Sequence, residues 1–503
     1  MAPQTAVTDA FIEWFRSQGA TVDTDAMGLA DIPGYGRGVV ALKDLPEGHT
    51  LFTIPRDLVL SMRTSSLPTK FGLEAWEQFK LHTGWTGLIL CMLWEEAQGE
   101  ASKWHGFFPI LPTEFDTPMF WSDSELEELK GTAVVDKIGR DDAEKDFNEK
   151  LAPAVKNRPD IFPPETVEEI YSLERYHLMG SRILSRSFHV LKWKGDEDAV
   201  DEDVAVEAGA DTDAMDVDVE AGETAKTVAD VTEELEAGDE DSDDDDDRYE
   251  DPFDVAMVPM ADMLNGRFAT ETARLFYEDK HILKMMTVQD IKAGDQIWNT
   301  YGDPPNSDLL RRYGFVDVTT HRPPLLGEGN PADVVEITAD LVVEAAKKHK
   351  AQNSQERVDW WLEEAEDDVF VIGTDCELST EFISFARLLL LPKADWEKTK
   401  SKGKLPKPNA DIDILRLAVD VLQRRTKDYI CTTAEDEQLL ASATDLSLNK
   451  RNAVIVRLGE KRILDGTLKE LKGVIASMKS DKKDSGKRKR AQAESPGAKK
   501  SRR

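Results

Sequence analysis

Residues 291–317 read IKAGDQIWNTYGDPPNSDLLRRYGFVD and carry two tyrosines, Tyr301 and Tyr313, each followed by a glycine, Gly302 and Gly314. A turn at Ala293-Gly294-Asp295 leads into a short strand that stops at Tyr301. A tyrosine at the end of a strand or helix beside a glycine can line a cavity with its hydroxyl, although more tyrosines in that setting simply pack into a core. The chain entering this stretch, residues 273–302, reads as a series of short strands with a further turn at 278–280. From residue 339 onward the spacing is helical, in ADLVVEAAKKHK, STEFISFARLLLLP, DIDILRLAVDVLQRRTKDYI and AVIVRLGEKRILDGTLKELKGVIASM, and a Ser379-Thr380 cap and Pro392 bracket one of these helices. The stretch is therefore the junction between a strand-rich body and a helical partner.

Upstream, VPMADMLNGRF at 258–268 is an apolar run that narrows to Asp262 and Asn265. Asn265-Gly266 reads locally as a hairpin turn. Asp262 sits in apolar company, where a carboxylate needs a partner. Near the N-terminus, Gly34, Gly36 and Gly38 follow a G-x-G-x-G spacing and run into a strand, which disfavours a dinucleotide fold. Such glycines let backbone approach a ligand closely, or simply turn the chain. Two strands follow, around 39–42 and 51–54, split by Pro46-Glu47-Gly48. Residues 8–18 form a capped amphipathic helix unlike a secretion signal, and residues 85–187 are mostly helical in period, with WTGLILCMLWEEA as a buried helix.

At 503 residues the chain is too long for one ordinary core, and its 11 Trp and 19 Phe can bury a large area. No apolar run is long enough for a transmembrane helix. Cys91, Cys376 and Cys431 are scattered in apolar surroundings, which points to a reducing compartment, buried structural thiols, no disulfide frame and no zinc site. The net charge of −35 is concentrated: residues 196–251 hold 27 Asp or Glu against Lys226 and Arg248, leaving the rest of the chain modestly charged. Like charges at that density repel and have little to bury, so the segment reads as a disordered, solvated insertion; the alternative is an acidic arm that binds histones or ribosomal proteins. The end of the chain reverses sign, with two spaced basic clusters in KRKRAQAESPGAKKSRR at 487–503. These read as a nuclear import address, compatible with a cytoplasmic pool as well. No aromatic residues interleave them, so direct nucleic-acid binding is not expected. No nucleophile elbow, P-loop, Cys-His pair or H-E-x-x-H is present, and no two of the eight histidines show metal-ligand spacing.

Four blocks together resemble the SET-domain protein-lysine methyltransferases of the Rubisco large-subunit methyltransferase-like group: GYGRGVVALKDLPEG with LFTIPR at 34–56, FFPILPTEFDTPMFWSDSELEELKGT at 107–132, SRSF at 185–188 with VPMADMLN at 258–265, and 291–317 itself. TTAEDEQLL and AVIVRLGEKRIL look like that family's substrate-binding domain. The resemblance covers roughly residues 10–475 without the acidic insertion, and is strongest toward the branch that methylates ribosomal proteins. It implies an α+β chain. A β-rich SET domain at 1–302 carries a helical insert near 85–187 and the acidic insertion near 195–251. A closing segment follows at 303–330, then an all-helical substrate-binding domain at 331–478 and a basic disordered tail at 479–503.

It also implies S-adenosyl-L-methionine as cofactor, held by Tyr35, Gly36, Arg37, Arg186, Asn265, Gly266 and Tyr301, with Gly266 standing where the family usually has histidine. Tyr301 corresponds to the catalytic tyrosine, Tyr313 to the aromatic that closes the lysine channel, and Asp262 to a carboxylate at that channel's edge. No metal is required. The implied activity is lysine monomethylation of a basic large-subunit ribosomal protein by a monomeric enzyme. The alternatives are a nuclear methyltransferase acting on histones or a transcription factor, and a non-catalytic SET-like scaffold.

Overall fold

The computed structural model describes residues 6–192, 253–278, 281–321, 323–325, 327–349, 354–365, 368–442 and 445–493. The acidic insertion and residues 494–503 of the basic tail lie outside them. The chain forms two compact units: Met1–Phe115 with Gly139–Asp303, and Asp116–Ile138 with Pro304–Arg503.

The first unit is built on small antiparallel sheets. Met27–Ile32 and Gly36–Ala41 form a hairpin, and Gln296–Ile297 pairs with its second strand, Val39 opposite Ile297. A second sheet runs Thr21–Val22, Thr50–Pro55, Ile282–Thr287, Ala273–Tyr277. The strands on either side of Pro46-Glu47-Gly48 therefore diverge into different sheets. Gly48 takes φ +80° and donates its N–H to the Thr287 carbonyl at 2.9 Å, so the far strand holds the turn in addition to its own longer His49 N–H to Pro46 carbonyl bond at 3.4 Å. Ser187–Leu191 pairs with Phe253–Met257, which sets the end of the helix Leu173–Arg186 beside the chain that follows residue 257. The N-terminal helix Ala6–Ser17 buries Phe11, Ile12, Trp14 and Phe15, spaced to fall on one face, in the same core as Phe52, Ile54 and Met285. The buried helix read from WTGLILCMLWEEA is Thr86–Ala97.

The second unit is largely helical. Ser379 caps Thr380–Leu390 by accepting the Phe382 N–H at 3.1 Å, and Asp411 caps Ile412–Arg425. The unit is not all-helical: Val334–Thr338 and Val369–Gly373 pair antiparallel over five residues, and Thr319–Thr320 pairs with Glu328–Gly329. VFVIG at 369–373 is a β-branched, alternating run hidden between helical periods. Residues 116–138, read from sequence as part of the helical insert, pack within this unit. Trp121, Leu129 and Val134 share a core with Leu310, Ala453 and Val456, and a Cβ on Gly131 (φ +83°) would stand 2.7 Å from the Asp428 carbonyl. The last helix runs Leu448–Ala493, so the backbone stays helical through 493 where an unstructured tail was expected from 479. Lys, Arg and Ala favour helix there and no proline intervenes before Pro496. Among the cysteines, Cys91 and Cys376 are buried as expected, but Cys431 is in polar surroundings and donates to the Asp436 carboxylate at 3.1 Å.

No helix among the described residues is long and apolar enough to cross a membrane.

Candidate active site

The glycine-rich stretch is the tip of the first hairpin. The Tyr35 N–H donates to the Ile32 carbonyl at 3.0 Å, and Gly34 and Gly36 adopt φ of +84° and +69°. A Cβ on either would meet nothing within 4 Å, so these glycines are there for their backbone conformation and the space beside them is open. Tyr35 sets its ring edge-on to Trp298, with centroids 5.1 Å apart. Arg37 leans the other way and donates from Nη1 to the Ile110 carbonyl at 2.6 Å. Burial pulls the Arg37 pKa down, and the nearby Arg186 adds to that.

Residues 258–266 cross behind this tip. Met260 takes φ +74°, the chain makes one tight turn at Ala261–Met263, and the Asp262 side chain is wholly enclosed. Arg186, the last residue of its helix, donates from Nη1 to the Asp262 backbone carbonyl at 2.7 Å and stands 3.6 Å from the carboxylate. Among the described residues neither carboxylate oxygen has a hydrogen-bond partner, and neither does Arg186 Nε or Gln296 Nε2. Burial pushes the Asp262 carboxyl up to about 6, with Arg186 and then Arg37 pulling it back. The carboxylate expected at the rim of the lysine channel is thus enclosed, and reaches outward only through Arg186.

The expected hairpin at Asn265-Gly266 does not form. The Asn299 N–H donates to the Asn265 carbonyl at 2.9 Å, and Gly266 bridges Asn299 in parallel. Pairing with a segment more than thirty residues away overrides the local turn signal, and Gly266 has no positive φ. The Asn265 side chain donates from Nδ2 to the Arg37 carbonyl at 3.2 Å and rests on Gly38, where a Cβ would stand 2.7 Å from Nδ2. Gly266 lies under the Tyr301 ring rather than facing open space. The Tyr301 hydroxyl donates to the Leu264 carbonyl at 3.4 Å.

The structure therefore gathers Tyr35, Gly36, Arg37, Arg186, Asp262, Asn265, Gly266 and Tyr301 in the first unit. Tyr313 belongs to the second unit, at the end of Asn306–Tyr313, where its ring neighbours are Phe315 and Arg312. Sequence reading missed Trp298, Gly38 as the seat of Asn265, and the carbonyls of Leu264 and Ile110. The first two stood inside motifs already singled out; backbone carbonyls leave no trace in a sequence.

The enclosed carboxylate has a pH signature. An ordinary aspartate titrates near 4. Between about pH 4 and 6 the unfolded chain has lost the Asp262 proton while the folded one keeps it, so stability falls as pH rises through that window and is level above it. Asp333 and Glu460, each pushed up to about 7 by burial, add the same sign up to about 7. Asp262→Asn is expected to flatten its share of the slope; urea midpoints at pH 4.5 and 7 test this, and equal slopes in variant and wild type would refute it.

Comparison with known proteins fits this geometry. The Rubisco LSMT substrate-binding family model matches residues 345–464. Ribosomal lysine N-methyltransferase 4 of Saccharomyces cerevisiae is 30% identical over 354 residues, spanning 69% of this chain and 61% of that protein. N-lysine methyltransferase setd6 of Xenopus laevis is 25% identical over 90% of this chain and 93% of its own. Among solved structures, Rubisco LSMT bound to sinefungin and monomethyllysine superposes with a TM-score of 0.62 at 18% identity, covering 95% and 93% of the two chains. The fold is that of a SET-domain protein. The chain is similar to the protein-lysine methyltransferases of the Rubisco large-subunit methyltransferase-like group, and spans about three fifths of the length of the yeast relative.

Proposed function

We propose that this protein transfers a methyl group from S-adenosyl-L-methionine to a lysine of a large-subunit ribosomal protein, adding a single methyl. The observation that carries the reading is the gathering of Tyr301, Asn265 and Arg186 around the open glycine tip. That arrangement fits a ligand bearing a carboxylate and needing close backbone approach: the Arg186 guanidinium is partly exposed, and Gly34 and Gly36 leave room beside the chain. The ribosomal substrate rests on the likeness to the yeast relative, whose name carries it.

When bound, S-adenosyl-L-methionine supplies a methyl group on a positively charged sulfur. The chain's own residues do the rest. Arg186 offers its partly exposed guanidinium to a carboxylate, and its angle is fixed by the Asp262 carbonyl and carboxylate. Tyr35, Gly36 and Arg37 present backbone at the hairpin tip, and Asn265 ties that tip to the 258–266 segment through the Arg37 carbonyl. The Tyr301 hydroxyl and the Leu264 carbonyl stand as adjacent oxygens, which orient an amine and counter positive charge as it forms there. No covalent nucleophile is needed; alignment and fixed dipoles carry the step. Gly38→Ala is expected to push Asn265 off the Arg37 carbonyl and weaken S-adenosyl-L-methionine binding about tenfold, one lost hydrogen bond in a part-buried setting. Titration calorimetry reads this, and an unchanged Kd would remove Asn265 from the cofactor site.

The enzyme acts as a monomer on a protein substrate and does not contact nucleic acid directly. The basic clusters in 487–503 favour a nuclear location, which also keeps a histone or transcription-factor substrate as the second reading. Incubation with labelled S-adenosyl-L-methionine and separate pools of ribosomal proteins and histones, followed by mass spectrometry of the labelled lysine, decides between them. Label confined to histones would favour the second reading, and no label in either pool would favour a non-catalytic scaffold.

A further inference from the structure

We infer that Gly266 is a positioning residue for Tyr301: having no side chain, it gives the phenol ring a seat directly on the backbone, and that seat sets where the Tyr301 hydroxyl stands. A Cβ built on Gly266 would lie 2.6 Å from Tyr301 Cγ, 2.7 Å from Cδ1 and 2.8 Å from Cδ2. Those distances are well inside carbon–carbon contact, and the atoms met are the rigid base of a ring rather than the end of a flexible chain.

Gly266 is a glycine for a different reason from its neighbours. Gly34, Gly36 and Gly302 all have positive φ and open space where a Cβ would go. Gly266 has no positive φ, and its Cβ space is filled. The residue is selected for room and not for conformation. Nor can the two partners simply part. Gly266 is bridged to Asn299, two residues before Tyr301, and the Asn299 N–H is held by the Asn265 carbonyl at 2.9 Å. With both backbones pinned, an added methyl is relieved by rotating the ring. The hydroxyl is already 3.4 Å from the Leu264 carbonyl, near the limit of a hydrogen bond, so a small rotation breaks that contact. The neighbouring Asn265 is seated on Gly38 in the same way, so the missing Cβ atoms of Gly38 and Gly266 set the positions of two functional side chains, Asn265 and Tyr301.

The inference rests on Tyr301 acting in methyl transfer, and its test separates the two. Gly266→Ala, Tyr301→Ala and the double variant are made in the full chain and compared by thermal unfolding and by steady-state kinetics on the methylated substrate. Gly266→Ala is expected to lower kcat about a hundredfold, the usual consequence of misplacing a reacting group by about an ångström, with little change in the substrate KM. A merely structural role would not split kcat from KM in this way. Gly266→Ala is also expected to lower Tm in the wild-type background and to leave it unchanged in the Tyr301→Ala background, where the ring it would strike is gone. If Gly266→Ala alone does not fold while the double variant does, the seat is supported by folding itself. Wild-type kcat in Gly266→Ala, an equal loss of Tm in both backgrounds, or failure of both variants to fold would overturn the inference. Should the wild type methylate nothing, the proposed function fails, while the Tm comparison still reports on the seat.

Discussion

Tyr301→Phe is expected to lower methyl transfer about a hundredfold while leaving the fold intact, the scale seen when one preorganised polar group is removed from a reacting centre. The substitution removes one oxygen. The ring remains, and with it the seat on Gly266, so packing in the core of the site is preserved. What disappears is the hydroxyl that donates to the Leu264 carbonyl at 3.4 Å. A hydrogen bond of that length contributes at most about 1 kcal/mol to stability, so Tm moves little. Its worth in the reaction is larger, because the oxygen acts where an amine must be oriented and positive charge develops, and no reorganisation is needed at that moment. Initial rates under saturating S-adenosyl-L-methionine, beside a melting curve of the same preparation, test the claim. Turnover at the wild-type rate in a folded Phe variant would remove Tyr301 from the mechanism. The contrast with Gly266→Ala is informative: one variant deletes the hydroxyl and keeps the ring in place, the other keeps the hydroxyl and moves it. Both are expected to lose rate, but only Gly266→Ala is expected to lose Tm as well.

How far the sequence revealed this site depended on the range of the interaction. The glycine tip was visible because positive φ is a property of single residues, and Gly34 and Gly36 show it. The capped helix at 380–390 was visible because Ser379 and Phe382 are three residues apart. Asn265-Gly266 was misread for the opposite reason: its partner, Asn299, lies far along the chain, and pairing at that distance is not written in local turn chemistry. Asp262 was picked out as a carboxylate in apolar company, yet its enclosure depends on Arg186 and Arg37, which approach from a helix end and a hairpin. The strands Val334–Thr338 and Val369–Gly373 escaped notice because the first runs straight into the helix Ala339–Ala346 and the second is a short run between strongly helical segments. The placement of 116–138 in the second unit rests on Trp121, Leu129 and Val134 meeting residues beyond 309, a contact that no spacing rule predicts.

Asp436→Ala is expected to destabilise the second unit by about 3–5 kcal/mol, the usual cost of leaving buried cations without their counter-ion. Asp436 is fully buried, as are nearly all of Arg457 and Lys461. Arg457 grips the carboxylate with two prongs, Nη2 to Oδ1 at 2.6 Å and Nε to Oδ2 at 2.8 Å, and Lys461 donates to Oδ2 as well. The Cys431 thiol adds a third donor at 3.1 Å. Burial alone would raise the Asp436 pKa, but the bonds from Arg457, Lys461 and Cys431 outweigh it and hold the group below the usual carboxylate range. Its stabilisation is therefore present above about pH 4 and is lost as pH falls through the lowered folded-state value. In Asp436→Ala, Glu128 still accepts from Arg457 Nη1 at 2.9 Å, but Lys461 keeps no charged acceptor among the described residues, only the Cys431 carbonyl at 3.0 Å and the Cys431 Sγ at 3.8 Å. Lys461 is then left buried and short of acceptors, or draws in water, and both cost stability. Against a domain stability of about 5–15 kcal/mol, the loss is large enough to shift the urea midpoint of this unit plainly. The neighbouring Glu437→Ala is the control: its partner Arg462 is partly exposed, and such a pair is worth about 1 kcal/mol or less. A midpoint for Asp436→Ala no lower than that of Glu437→Ala would mean that water reaches Arg457 and Lys461 in the folded protein, and the buried charge cluster would not be what holds Thr433–Ser442 to the long helix Leu448–Ala493.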